Sequence, residues 1–203
     1  MLARAHASAG KYAPDDRATN SPVIVGAALT SGQIQGSGTI NNASVADARE
    51  YLKGSSDEPA EFYLRVQCTK SGGNPQGEVQ ILDRSYYKTD GTLDSLLHTY
   101  MFKSTALPAV KIALGNSTVP SKAQLSTKAD VVEILSDGSA TSIDANADMT
   151  LTLTDNGTLS NKTGPNTLAV IVKRSDGQIW YSAGLSGRGA VEKPMASGTS
   201  SIQ

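Results

Sequence analysis

Cysteine is almost missing from this chain of 203 residues, and the single Cys68 excludes an internal disulfide and any cluster of thiolate metal ligands. Histidine is nearly as scarce, since His6 and His98 alone offer imidazole for acid–base chemistry. Aromatic rings are few: one Trp, two Phe and seven Tyr. No apolar run approaches the roughly 18 to 20 residues that a membrane helix needs, which argues against membrane insertion. Neither sign of charge dominates. With 18 Lys and Arg against 19 Asp and Glu, no bulk field attracts nucleic acid or anionic lipid. Charged residues make up 18%, too few for a coiled coil, while Val, Ile and Leu are too frequent for full disorder.

What the chain does have is 42 Ser and Thr, together with 19 Gly. That composition, with short apolar stretches between turn residues, predicts an all-β protein. From Ala60 onward the hydrophobic period is two. Phe62, Leu64, Val66 and Cys68 alternate with Glu61, Tyr63, Arg65 and Gln67, the mark of a half-buried strand. The turn Ser71–Gly77 leads into a second strand through Val79 and Ile81, completing a hairpin. Strands are expected over Leu97–Lys103, Val110–Leu114 and Lys122–Leu135. The clearest alternation is Asp148–Asp155, with Met149, Leu151 and Leu153 inward and three threonines outward. Thr167–Arg174 and Gln178–Ser182 flank Ser175-Asp-Gly177, where Asp-Gly supplies the positive φ of a tight hairpin.

Eight or more short strands give a β-sandwich, Ig-like or jelly-roll-like, with one short helix and an extended N-terminal tail. The helix is predicted over Ser44–Leu52, with Ser44 as cap, Asp47 three residues on and Gly54 as the stop. Domain boundaries are drawn as a tail over residues 1–32 and a sandwich over 33–203. Met1–Gly10 carry Arg4 but lack the apolar core of roughly 7 to 15 residues that completes a signal peptide. Val23, Ile24, Val25 and Leu29 make the tail's one strand-sized apolar segment, either a leading strand of the domain or a strand given to a neighbouring subunit.

A resemblance rests on the order of these segments: Gly36-Ser-Gly-Thr-Ile40, AEFYLRV, a Gly/Asn/Pro turn, GEVQI, LTLTDNG, NTLAVIVKRSDGQIWYSAG, and a closing small-residue strand over Ala196–Ile202. Together they resemble the β-sandwich modules near the C-termini of large bacterial secreted and cell-surface proteins. Ser and Thr stand here where several of those modules' glycines fall, and the segment at Ser44–Leu52 is extra. The resemblance implies an extracellular, non-enzymatic role and transfers no catalytic residue.

The residues themselves supply little chemistry. No Gly-x-Ser-x-Gly elbow, His-Glu-x-x-His helix or phosphate-cradling glycine loop occurs. Gly184–Gly189 is glycine-rich without a strand-to-helix context, so it reads as a loop. Asp144, Asn146 and Asp148 take the first, third and fifth positions of a calcium loop, but Met149 stands where the sharp turn needs Gly; Asp15 and Asp16 are a weaker candidate. Cys68 reads as a small buried hydrophobe. Adjacent residues on a strand face opposite sides, so one of Trp180 and Tyr181 is expected at the surface, where a ring can stack on sugar. Sequons fall at Asn42, Asn116, Asn156 and Asn161. No catalytic, cofactor or metal residue is assigned. The expected function is a structural subunit of an extracellular fibre, appendage or surface layer, self-associating through the 23–29 strand. The alternative is an adhesin-like or carbohydrate-binding module recognising glycan or protein.

Overall fold

The computed structural model describes residues 32–42, 50–68, 74–158, 164–186 and 189–203. The tail segment with Val23, Ile24, Val25 and Leu29 lies outside them, as do His6, Asp15 and Asp16. Eleven strands follow in chain order: β1 (Gln33–Ile40), β2 (Ala60–Gln67), β3 (Gln76–Tyr87), β4 (Leu93–Ala113), β5 (Ser121–Ile134) and β6 (Ala140–Asp155), then β7 (Thr167–Lys173), β8 (Ile179–Ser182), β9 (Leu185–Ser186), β10 (Gly189–Ala190) and β11 (Lys193–Ile202). The protein is all-β and antiparallel, with the sandwich-like architecture expected from the sequence. Helical structure among the described residues amounts to one 3₁₀ turn at Asn156–Thr158, and none is long and apolar enough to cross a membrane.

Sequence neighbours pair from β1 through β8 in an up-and-down order, where Ig-like and jelly-roll sandwiches carry Greek-key crossings. β11 then returns beside β1 and also touches β7, so the main sheet closes on itself. The closing contact with β7 is short, Lys193 opposite Leu168 and Pro194 opposite Thr167. Side chains extend that seam: Asn166 Nδ2 donates to Ser200 O at 2.9 Å, and Asp155 Oδ2 accepts from Ile202 N at 3.1 Å.

Period-two patterning fills the interior as expected. Phe62, Leu64, Val66, Val79, Ile81, Leu151, Leu153, Val170 and Val172 are all buried. Burial on this scale stabilises by about 1.5–3 kcal/mol per large side chain, and register is fixed because a slip of one residue would turn each set outward. Three segments differ from expectation. The strands foreseen at 97–103 and 110–114 are one strand, β4, continuous through irregularities between Ser104 and Ala109. The clean alternation at 148–155 is the second half of a longer β6. Of the helix at Ser44–Leu52 only the last three residues are described, and they are not helical but bend alongside β8: Tyr51 N donates to Ile179 O at 3.0 Å and Leu52 N to Trp180 O at 2.8 Å. Ser44 and Asp47, which carry the capping signal, lie outside the described residues.

Candidate functional site

Alternation along β3 carries Val79 and Ile81 into the core, and the same face continues through Asp83 and Ser85, both fully buried. A polar group so placed needs partners. Asn42, just after β1, supplies them. Its Nδ2 donates to Asp83 Oδ1 at 2.8 Å, to Glu58 O at 3.0 Å and to Ser55 O at 3.1 Å, while its Oδ1 accepts from Tyr181 OH at 3.0 Å. Beside this hub, Ser182 Oγ donates to Glu50 Oε1, and Ser85 Oγ donates to Lys53 O at 2.7 Å. Asp83 Oδ2 has no hydrogen-bond partner among the described residues.

Burial pushes the Asp83 carboxyl up to about 8, opposed in part by the Asn42 and Arg84 hydrogen bonds. Burial also raises the Tyr181 phenol well above its ordinary value, helped by the nearby Asp83 and Glu50. Lys193, whose Nζ donates to Asn41 O at 3.1 Å, is lowered by burial while Glu50 pulls the other way. The shift favours the neutral acid form of Asp83.

A second cluster surrounds His98. Its Nδ1 lies 2.6 Å from Glu133 Oε1 and its Nε2 lies 3.2 Å from Asp94 Oδ2, which also pairs with Lys88 Nζ at 3.0 Å. Asp94 accepts from Ser95 N at 2.6 Å, and between Ser85 and Tyr87 the β3–β4 register shifts to accommodate the extra β4 residues. The Lys88 bond, seconded by His98, holds the Asp94 carboxyl well below the usual carboxylate range. Burial and the Glu133 charge push the Tyr100 phenol up. Sequence reading missed this cluster. Asp94 and His98 share a parity on β4, which is a usable signal, but Glu133 joins them only through the β4–β5 pairing.

The run weighed as a calcium loop does not form one. Asp144 to Asp155 lie along β6, and their carboxylates are engaged elsewhere: Asp144 Oδ2 accepts from Trp180 Nε1 at 2.8 Å, Asp148 pairs with Lys128 at 2.6 Å, and Asp155 Oδ1 accepts from Gly157 N at 2.8 Å. Among the described residues no three His, Cys, Asp or Glu are grouped to hold a metal. EDTA is therefore expected to leave the melting temperature unchanged; a drop of several degrees would show that a bound cation stabilises the native state.

The expectation that one ring of Trp180 and Tyr181 faces solvent is corrected by the structure, since both are buried. Tyr181 stacks on Phe102 at 5.2 Å in the core. Trp180 faces the other way but is covered by the Tyr51 edge at 5.8 Å and by the Arg174 guanidinium 4.8 Å from its centroid. Cys68 is buried with its thiol toward Gly32 O, and burial raises its pKa. Gly184 packs against the Lys193 stem, 2.7 Å from where a Cβ would point. Of the sequons, Asn42 is closed because Nδ2, the atom a glycan would occupy, is bonded inside the hub. Asn116 is exposed, Asn156 Nδ2 donates to Pro165 O at 2.8 Å, and Asn161 lies outside the described residues.

No known protein family, curated protein or solved structure matches this chain.

Proposed function

We propose that the protein is a non-enzymatic structural module of an extracellular, cell-surface assembly of the bacterial fibre, appendage or surface-layer kind, joining to further copies of itself. The observation that carries this reading is where the exposed apolar side chains stand. Leu93 and Leu96 are 69% and 67% exposed at the start of β4, with Tyr86 and Leu135 nearby in the strand register. Leu114 and Val119 are 57% and 53% exposed in the turn after it. The longest strand thus has apolar residues at both ends, on the order of 60 Å apart along its length. Different patches at opposite ends favour head-to-tail contacts, which build open filaments unless the rotation closes a ring.

Further support comes from the commitments of the reactive groups. His98, Asp83, Glu50 and Asp144 each hold parts of the fold together. The apolar segment Val23–Leu29 offers a second means of joining copies, by strand addition to a neighbour. A glycan-binding role through Trp180 loses its premise with that ring buried.

Light scattering over rising concentration tests the reading. The full chain is expected to self-associate, and the Leu93→Ser/Leu96→Ser variant to do so about ten- to a hundredfold more weakly for each leucine buried in the contact. Removal of residues 1–31 measures the share owed to strand addition. A full chain that stays strictly monomeric at high concentration overturns the assembly role.

A further inference from the structure

The segment 50–58 straps the end of the fold where β3 and β8 come together. Tyr51 and Leu52 donate main-chain N–H to β8, Ser55 N donates to Arg84 O on β3 at 2.7 Å, and Glu50 bridges to Ile179. On its inner side the strap gives two carbonyls, Ser55 O and Glu58 O, to the same Asn42 amide that bonds Asp83. Asn42 thus ties strap to sheet from the inside, alongside Ser85 Oγ on Lys53 O, Ser182 Oγ on Glu50 and the main-chain bonds, and the carboxyl it meets on β3 has one oxygen unpartnered among the described residues and no exposed surface.

We propose that Asn42, Asp83 and Tyr181 form a proton-dependent latch, which keeps residues 50–58 docked on β3 and β8 while Asp83 is a neutral acid and loosens them as it ionises. Among the described residues, an anion at Oδ2 has no hydrogen-bond donor to meet it. Asn42 and Arg84 offset only part of the cost of burying that charge. Glu50 from the strap adds negative charge, Tyr181 from β8 has its hydroxyl committed to Asn42, and Tyr100, opposite on β4, donates to Tyr87 O at 2.9 Å. Arg84, next along β3, places its guanidinium 3.0 Å from Glu61, and Lys193 from β11 is coupled to Glu50. The least costly response is to admit water by lifting the strap. Lifting it uncovers the outer edge of β8, which residues 50–52 cover, and an uncovered edge is open to another strand.

The direction in pH follows from linkage. Asp83 binds its proton more tightly docked than released, so the stabilisation is complete below the ordinary value of 3.8, is lost as pH climbs toward about 8, and changes no further above that. Between those limits docking weakens by up to about tenfold per pH unit.

The experiment is amide hydrogen exchange of the full chain between pH 5 and 8, corrected for the intrinsic pH dependence of exchange, with Tyr51, Leu52 and Ser55 as reporters. Protection of these three amides is expected to fall with rising pH in the wild type and to stay level in Asp83→Asn, which removes the titrating group. Level protection in the wild type, or the wild-type slope retained in Asp83→Asn, overturns the latch. The His98 cluster lies between β4 and β5, so an effect arising there would leave the slope intact in Asp83→Asn. If that variant folds poorly, carbon-13 NMR of the wild-type Asp83 carboxyl decides. Titration near 8 upholds the latch, and titration in the ordinary range below about 5 overturns it.

Discussion

Replacing Asn42 with alanine is expected to remove about 4 kcal/mol of stability, a large part of the 5–15 kcal/mol typical of a single domain. The side chain is buried and makes four hydrogen bonds to three parts of the chain. Truncation loses those bonds and orphans buried groups on the other side: the Asp83 carboxyl, the Tyr181 hydroxyl and the Ser55 carbonyl. Each orphan costs about 1–3 kcal/mol unless water reaches it. Partial relaxation sets the total below their sum. Tyr181→Phe is the informative companion, because it deletes a single donor and keeps the ring stacked on Phe102; its expected cost is about 1 kcal/mol. Urea denaturation gives both numbers. If Asn42→Ala costs no more than Tyr181→Phe, the amide is not a principal joint between strap and sheet.

How much of this was legible in the sequence depends on the range of the interactions. Phe62, Leu64, Val66, Leu151 and Leu153 announce themselves because alternation is a local signal, and the Gly177 turn, with φ of 83°, is written in its Asp-Gly pair. The hub is not local. Asn42 and Tyr181 stand 139 positions apart, and Asn42 reads in isolation as a loop sequon. Asp83 shares the inward parity of Val79 and Ile81 on β3, but a carboxyl there reads as a break in the core pattern until its partner Asn42 arrives from just after β1. Trp180 misled for the same reason: strand alternation correctly sets it opposite Tyr181, but whether the outer face is solvent depends on Tyr51 and Arg174, which arrive from elsewhere in the chain. The return of β11 to β1 likewise joins the two ends of the described fold, with Ile34 opposite Ile202.

That return strand makes Gly198 a demanding glycine position, and Gly198→Ala is expected to cost about 3–5 kcal/mol. Gly198 lies directly opposite Gly38 in the β1–β11 pair, and its φ is 94°. An added Cβ would strike Ser37 O and the Gly38 Cα, which are main-chain atoms that cannot swing aside. Strain and overlap therefore act together. Gly177→Ala separates them, since its φ of 83° carries the same conformational penalty but nothing lies within 4 Å of its added Cβ. It should cost about 1 kcal/mol. Gly189→Ala, with open space and no unfavourable φ, should be close to neutral. Denaturation midpoints in the order Gly198 below Gly177 below Gly189 establish that close strand approach, rather than glycine flexibility, is what β11 requires. An equal cost at Gly198 and Gly177 would leave strain as the whole cause. The consequence of losing β11 reaches beyond stability, because the strand covers β1 along its length and meets β7 at Lys193 and Pro194. Pulling it away frees main-chain N–H and C=O groups on two strands at once. Gly198→Ala should therefore aggregate on heating at a concentration where Gly177→Ala unfolds without doing so, and turbidity during a thermal ramp distinguishes the two.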